Sequence, residues 1–180
     1  MREAPDVREV RTSTEEYLRV LVKGDVKGVA ERSTCLVGAG TLVGGQILRI
    51  EPPRTISMAM LDSLVKDAVG NQKSADSAWA YADEITADSL FQRARLIALR
   101  SAVYRNAVRA VSLSAPGTVV GRDSTVETRV VRARFRYAGA AIGPKAVDRE
   151  EILRLVRAPA GKWIVFSVYL VPDDPRPEMI

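Results

Sequence analysis

VETRVVRARFRY, residues 126–137, decides the fold. From Val131 it alternates strictly. Val131, Ala133, Phe135 and Tyr137 fall on one face, and Arg132, Arg134 and Arg136 on the other. A period of two is the mark of a strand with one buried and one solvated face. Working outward, residues 139–144 read as a loop and 150–157 as the next strand. APAG at 158–161 reads as a turn, and 162–171 as the last and most apolar strand. That run is apolar on both faces, which predicts a central strand covered on both sides. Short connections between consecutive strands make the sheet antiparallel.

Upstream, the period becomes helical. TSTE at 12–15 reads as a capping box, with Thr12 as N-cap and Glu15 three residues on. Tyr17, Leu18, Leu21 and Val22 continue at helical spacing, and Gly24 supplies a left-handed stop. Asp25 then caps a short second helix ending near Arg32. Residues 35–47, with Gly38, Gly40, Gly44 and Gly45, read as a flexible loop or a bulged strand. They lack the lysine and hydroxyl of a phosphate loop and the spacing of a dinucleotide fingerprint. Residues 46–50 read as a short strand that Pro52 and Pro53 end. From Ile56 one amphipathic helix is expected, stopped at Gly70, and a short helix or turn follows over 74–81. Thr86 opens the longest helix. Its stripe is Leu90, Ala94, Ile97, Ser101, Tyr104 and Val108, and the opposite face is expected to carry Arg93, Arg95, Arg100, Arg105 and Arg109, as a solvated face or one for an anionic partner. The prolines after Val171 end the fold. The expectation is one α+β domain over 1–180, ordered over 12–171, with tails at 1–11 and 172–180. Helices pack on a curved, cone-like antiparallel sheet, and the helical segment in the middle of the chain is enlarged.

Composition narrows the chemistry. The 180 residues include one cysteine, Cys35, and no histidine. A Ser-His-Asp or Cys-His device cannot be built, nor can a histidine or thiolate zinc site. Any acid–base chemistry must therefore use Asp, Glu, Tyr, Lys or Cys. No cofactor and no metal are expected. Asp83, Glu84 and Asp88 cluster at a helix start, where capping accounts for them better than a cation site does. Cys35 reads as a small buried hydrophobe. The net charge of +5 is spread among 22 acidic residues, which argues against nucleic acid as the partner. No apolar run approaches the roughly 18 residues of a membrane span, and the polar N-terminus lacks a signal-peptide core. The expected location is cytoplasmic.

Two stretches carry a resemblance. YLRVLVKGDVKGVA at 17–30 joins an amphipathic helix to a short one through a Gly24-Asp25 corner. EILRLVR at 151–157, a turn, and GKWIVFSV at 161–168 form the closing hairpin. Together they resemble the nuclear transport factor 2-like superfamily, which includes ketosteroid isomerases and polyketide cyclases. Residues 57–110 depart from that pattern. The resemblance implies helices on a strongly curved sheet around a cone-shaped pocket, with dimerisation through the sheet in many members.

Period two puts Trp163, Ser167 and Tyr169 on one face of the last strand, with Tyr17 on the first helix and Tyr137 on a neighbouring strand. These groups either line a pocket for an apolar small molecule or are packed core with satisfied hydroxyls. Arg132, Arg134 and Arg136 either engage an acidic partner or a carboxylate or phosphate ligand, or keep an exposed sheet face soluble, with Glu127, Glu150 or Glu151 as cross-strand partners. No Asp or Glu is expected on the apolar strand faces near Trp163. The reading is a non-catalytic binding or assembly domain that uses a pocket or the sheet face. The alternative is a metal-free isomerase, cyclase or lyase acting on an apolar small molecule.

Overall fold

A computed structural model describes residues 4–35, 42–79, 84–139, 143–171 and 176. The elements in order are helices α1 (Pro5–Lys23) and α2 (Val26–Ala30), strands β1 (Leu42–Ile50) and β2 (Arg54–Ser57), helices α3 (Met58–Trp79) and α4 (Glu84–Ser114), and strands β3 (Thr125–Gly139), β4 (Gly143–Arg157) and β5 (Ile164–Leu170). The architecture is α+β. All five strands pair antiparallel in one open sheet of order β1-β3-β4-β5, and β2 also pairs with β3. Register shifts at Leu42/Gly44 and Ile47/Arg49 in β1, at Tyr137/Gly139 in β3 and opposite Arg154/Leu155 in β5 bend the sheet.

The expected alternation in β3 holds. Val131, Ala133 and Phe135 are fully buried, whereas Arg134 and Arg136 are exposed. The two parities face different helices. Val131, Ala133, Phe135, Leu153, Leu155 and Val165 form one core with Val10, Tyr17, Leu18 and Leu21 of α1. Val126, Val156, Ile164 and Phe166 form a second core with Leu61 of α3 and Val103, Ala107 and Val111 of α4. The sheet therefore carries α1 on one side and the α3–α4 pair on the other. Its inner strands are β3 and β4, and in β4 every residue from Glu151 to Val156 is buried. The apolar β5 lies instead at the end of the strand order. Its outer edge is closed by residues 32–34, which exchange backbone hydrogen bonds with Val165 in a short parallel bridge.

The helix starts shift. Thr12 caps nothing and lies mid-helix, because α1 begins seven residues earlier with Pro5 in its first turn and Asp6 beside it. Val10, expected in a tail, is fully buried. The Gly24 stop forms as expected, with φ +66° and capping bonds to Leu21 and Val20 carbonyls. The Asp25 side chain accepts from the Gly28 N–H at 2.9 Å.

Ile56 belongs to β2, and the helix starts at Met58. Gly70 stops nothing, because α3 runs through it to Trp79. A mid-helix glycine costs only about 1 kcal/mol, which pairing with α4 offsets. Residues 44–50 all lie in the bulged strand β1, and residues 143–144 already belong to β4. Gly38 and Gly40 fall outside the described residues, as does most of the stretch after Val171. No described helix is long and apolar enough to cross a membrane.

Candidate functional site

Of the five predicted pocket residues, three meet. Tyr17, Trp163 and Tyr137 belong to the core under α1. Ser167 and Tyr169 do not join them. The β4–β5 register sets Val165 opposite Leu155 and Ser167 opposite Arg154, so Phe166 has no cross-strand partner. That one extra residue reverses the parity of everything after it. Ser167 and Tyr169 thus share the face of α3 and α4, where Tyr169 packs on the second core.

Tyr17 and Trp163 are packed rather than lining open space, with relative exposures of 0% and 5%. The Tyr17 hydroxyl lies beside Ser33 and Cys35, in contacts that fall outside hydrogen-bond geometry. Burial pushes its ionisation well above the usual phenol range, and Cys35 adds to this. Ser33 Oγ and Cys35 Sγ are 3.1 Å apart. Burial also pushes the Cys35 thiol up, which favours its protonated form. Over Trp163 lies the Arg157 guanidinium, 4.7 Å from the ring centroid, itself held by Glu9 and Glu127.

The same α1-facing side of the sheet does carry an acid, Glu151 of β4, which pairs with Leu170 at the end of β5 away from Trp163. This residue is buried, stands opposite Ala133 on β3 and accepts a hydrogen bond from the Tyr137 hydroxyl. Burial raises its pKa above the usual carboxylate value, while the Tyr137 hydrogen bond and nearby Arg149 pull it back. Arg149 also stands over the Tyr137 ring, 5.8 Å from the centroid. The signal was present in the sequence. Glu151 has the parity of Leu153 and Leu155, which face inward.

The arginine row lies on the opposite sheet face. Arg132 reaches Glu51 and Glu150, each at 3.3 Å, and these hydrogen bonds hold its proton more firmly. Arg136 is 62% exposed and 4.0 Å from Asp148. Arg134 is exposed, in register with Gln46 and Glu150. Sequence reasoning missed Arg49 of β1, exposed and directly opposite Arg132. Of the three acids considered as partners for the row, Glu150 serves. Glu127 bonds Arg157 instead, and Glu151 is on the other side of the sheet.

On α4, Arg93, Arg95, Arg100, Arg105 and Arg109 are all exposed, and Arg100 borders a cleft of about 170 Å³ against α3. Asp83 lies outside the described residues, as do the side chains of Glu84 and Asp88. Among the described residues no group of acids, cysteine or histidine is arranged to hold a metal. A wider cleft of about 570 Å³ runs between α1 and β1. Compared with protein-family models, curated proteins and solved structures, the chain matches none.

Proposed function

We propose that this chain is a non-catalytic binding domain that engages an acidic partner through the arginine-bearing face of its sheet. The observation that carries the reading is the placement of Arg49 directly opposite Arg132, beside exposed Arg134 and Arg136. Like charges in direct register destabilise a sheet. Only Arg132 is closely neutralised, by Glu51 and Glu150. Guanidinium groups mounted on rigid strands are already positioned for carboxylates, which they take in bidentate pairs. The reading keeps the resemblance to the nuclear transport factor 2-like superfamily. The Gly24-Asp25 corner between α1 and α2, and the closing hairpin of β4 and β5, support it. The test is salt-dependent retention of the chain on immobilised poly-glutamate, compared with the Arg49→Glu/Arg134→Glu/Arg136→Glu variant. Loss of retention in the variant is the expected result. Equal retention overturns the reading.

One observation favours a second reading, a metal-free isomerase, cyclase or lyase. Glu151 is a buried acid with a raised pKa, hydrogen-bonded by a tyrosine, and such pairs serve proton transfer in other enzymes. A thermal-shift screen with apolar ketones and lactones tests it. Stabilisation by a ligand that Glu151→Gln abolishes is the outcome that would favour catalysis.

A further inference from the structure

We infer that the cleft between α1 and β1 takes an extended acidic peptide, which adds to the sheet as a strand beside β1. The inference rests on the acidic-partner reading above and gives that partner its conformation and its place.

The first support is the open edge. In the strand order β1 stands at the end of the sheet, and among the described residues no strand pairs with its outer side. Between its two bulges, residues 44–47 are regular. A strand edge of this kind is a template for main-chain hydrogen bonds. The bulged positions Val43 and Leu48 are exposed apolar side chains at either end of that regular stretch.

The second support is the wall beside the edge. Arg11, Glu15, Leu18, Arg19 and Val22 recur at helical spacing and line the cleft along α1. From Arg11 to Val22 the helix rises about 16 Å, at roughly 1.5 Å per residue. That is the length of about five strand residues at roughly 3.3 Å each. Leu18 lies so close to β1 that a side chain at Gly45 would meet it at 3.0 Å. The wall therefore follows β1 closely, as a strand-addition groove requires.

The third support is chemical and selects the occupant. Leu18, Val22 and Ile47 form an apolar floor, with Val22 40% exposed. Arg11, Arg19 and Lys23 stand around it against one acid, Glu15. Among the described residues no carboxylate engages Arg19 or Lys23. An added strand turns alternate side chains to the two sides of the sheet. On the α1 side they meet this apolar, cationic wall. On the other side they lie next to Arg49, with Arg134 one strand further in. Both sides select acidic residues, with short apolar ones on the floor. The same cations repel the basic wall of a second copy, so pairing of two β1 edges is disfavoured.

The test uses the whole chain and two fluorescent octapeptides. One carries valine at its third and seventh positions and glutamate at the other six, so one side alternates glutamate with valine and the other is all glutamate. The other has the same sequence with all its internal backbone amides N-methylated, so its charge is unchanged and both of its strand edges are blocked. The expected result is salt-sensitive binding of the first, at least tenfold weaker binding of the second, and new amide-exchange protection at residues 44–47. Arg19→Glu/Lys23→Glu should weaken the first peptide at least tenfold. Equal binding of the two peptides overturns strand addition and leaves the acidic-partner reading standing. Unchanged affinity in Arg19→Glu/Lys23→Glu removes the groove from the site. Failure to bind either peptide, together with indifference to poly-glutamate, takes down both readings. A peptide-resistant dimer protected at residues 44–47 assigns the edge to a second copy and overturns the choice of occupant.

Discussion

Glu151 shows what one residue decides. Its folded pKa is raised, so folding favours the protonated acid. Below the ordinary value of 4.5, folded and unfolded chains are both protonated and this group costs nothing. As pH rises past 4.5 the unfolded chain ionises first, and stability falls until Glu151 itself ionises. Stability measured by urea denaturation across that window should therefore decline, and Glu151→Gln should flatten the decline. A slope unchanged in the variant would assign it to another group. Asp6 works in the opposite direction. Burial opposes its charge, but the Val7 backbone N–H and Arg129 outweigh that and hold its pKa down, so its contribution is lost as pH falls below 3.8. Cys35 should react with iodoacetamide at pH 8 more slowly than a free thiol, because its raised pKa leaves little thiolate. Parity would have exposed Glu151 in the sequence. Nothing local could reveal Tyr137 as its donor, because that contact is set by the cross-strand register.

Among the elements, helices proved longer than their signals. The capping box at Thr12 was a real pattern, but tertiary contacts outweighed it. Burial of Val10 and the Asp6–Arg129 ion pair carry α1 back to Pro5. Gly70 likewise lies mid-helix, exposed, with nothing near its missing Cβ. Gly70→Ala should stabilise the chain by about 0.5–1 kcal/mol, read as a higher urea midpoint at unchanged m-value. Gly28 is the contrasting case. A Cβ there would meet the Asp25 carboxylate at 2.5 Å, so Gly28→Ala should disturb the cap of α2 and cost about 1 kcal/mol. A gain in stability from Gly28→Ala would show that the cap tolerates the methyl. In β5 a single unpaired residue, Phe166, divided the predicted pocket set between two faces.

At the scale of the molecule, one sheet is shared by two cores. Phe135 is buried with α1 and Leu61 with α3 and α4, yet β3, β4 and β5 supply side chains to both cores or to the strands between them. Phe135→Ala should cost about 3–5 kcal/mol and Leu61→Ala about 2–5 kcal/mol. Each should lower one common transition rather than split it in two, as followed by circular dichroism and tryptophan fluorescence together. Two separated transitions would mean that the α3–α4 pair unfolds independently. The basic character of the surface also belongs to this scale. It comes from Arg49 and the β3 row meeting across strands, and from α1 placing Arg19 and Lys23 beside an open edge.

The sequence alone determined the α+β class, the antiparallel sheet, the enlarged middle helices, the Gly24-Asp25 corner and the exposed arginine face. Each follows from periodicity or from backbone preferences that act over a few residues. Tertiary structure decided which helices cover which face, that β5 lies at the end of the strand order, and that Ser167 and Tyr169 part from Trp163. It also decided where Glu151 finds its hydrogen bond and where β1 leaves an edge open. These depend on register and bulges, which set the partner of each residue across the sheet. A shift of one position there reverses a side chain's face while leaving the local pattern of the sequence unchanged.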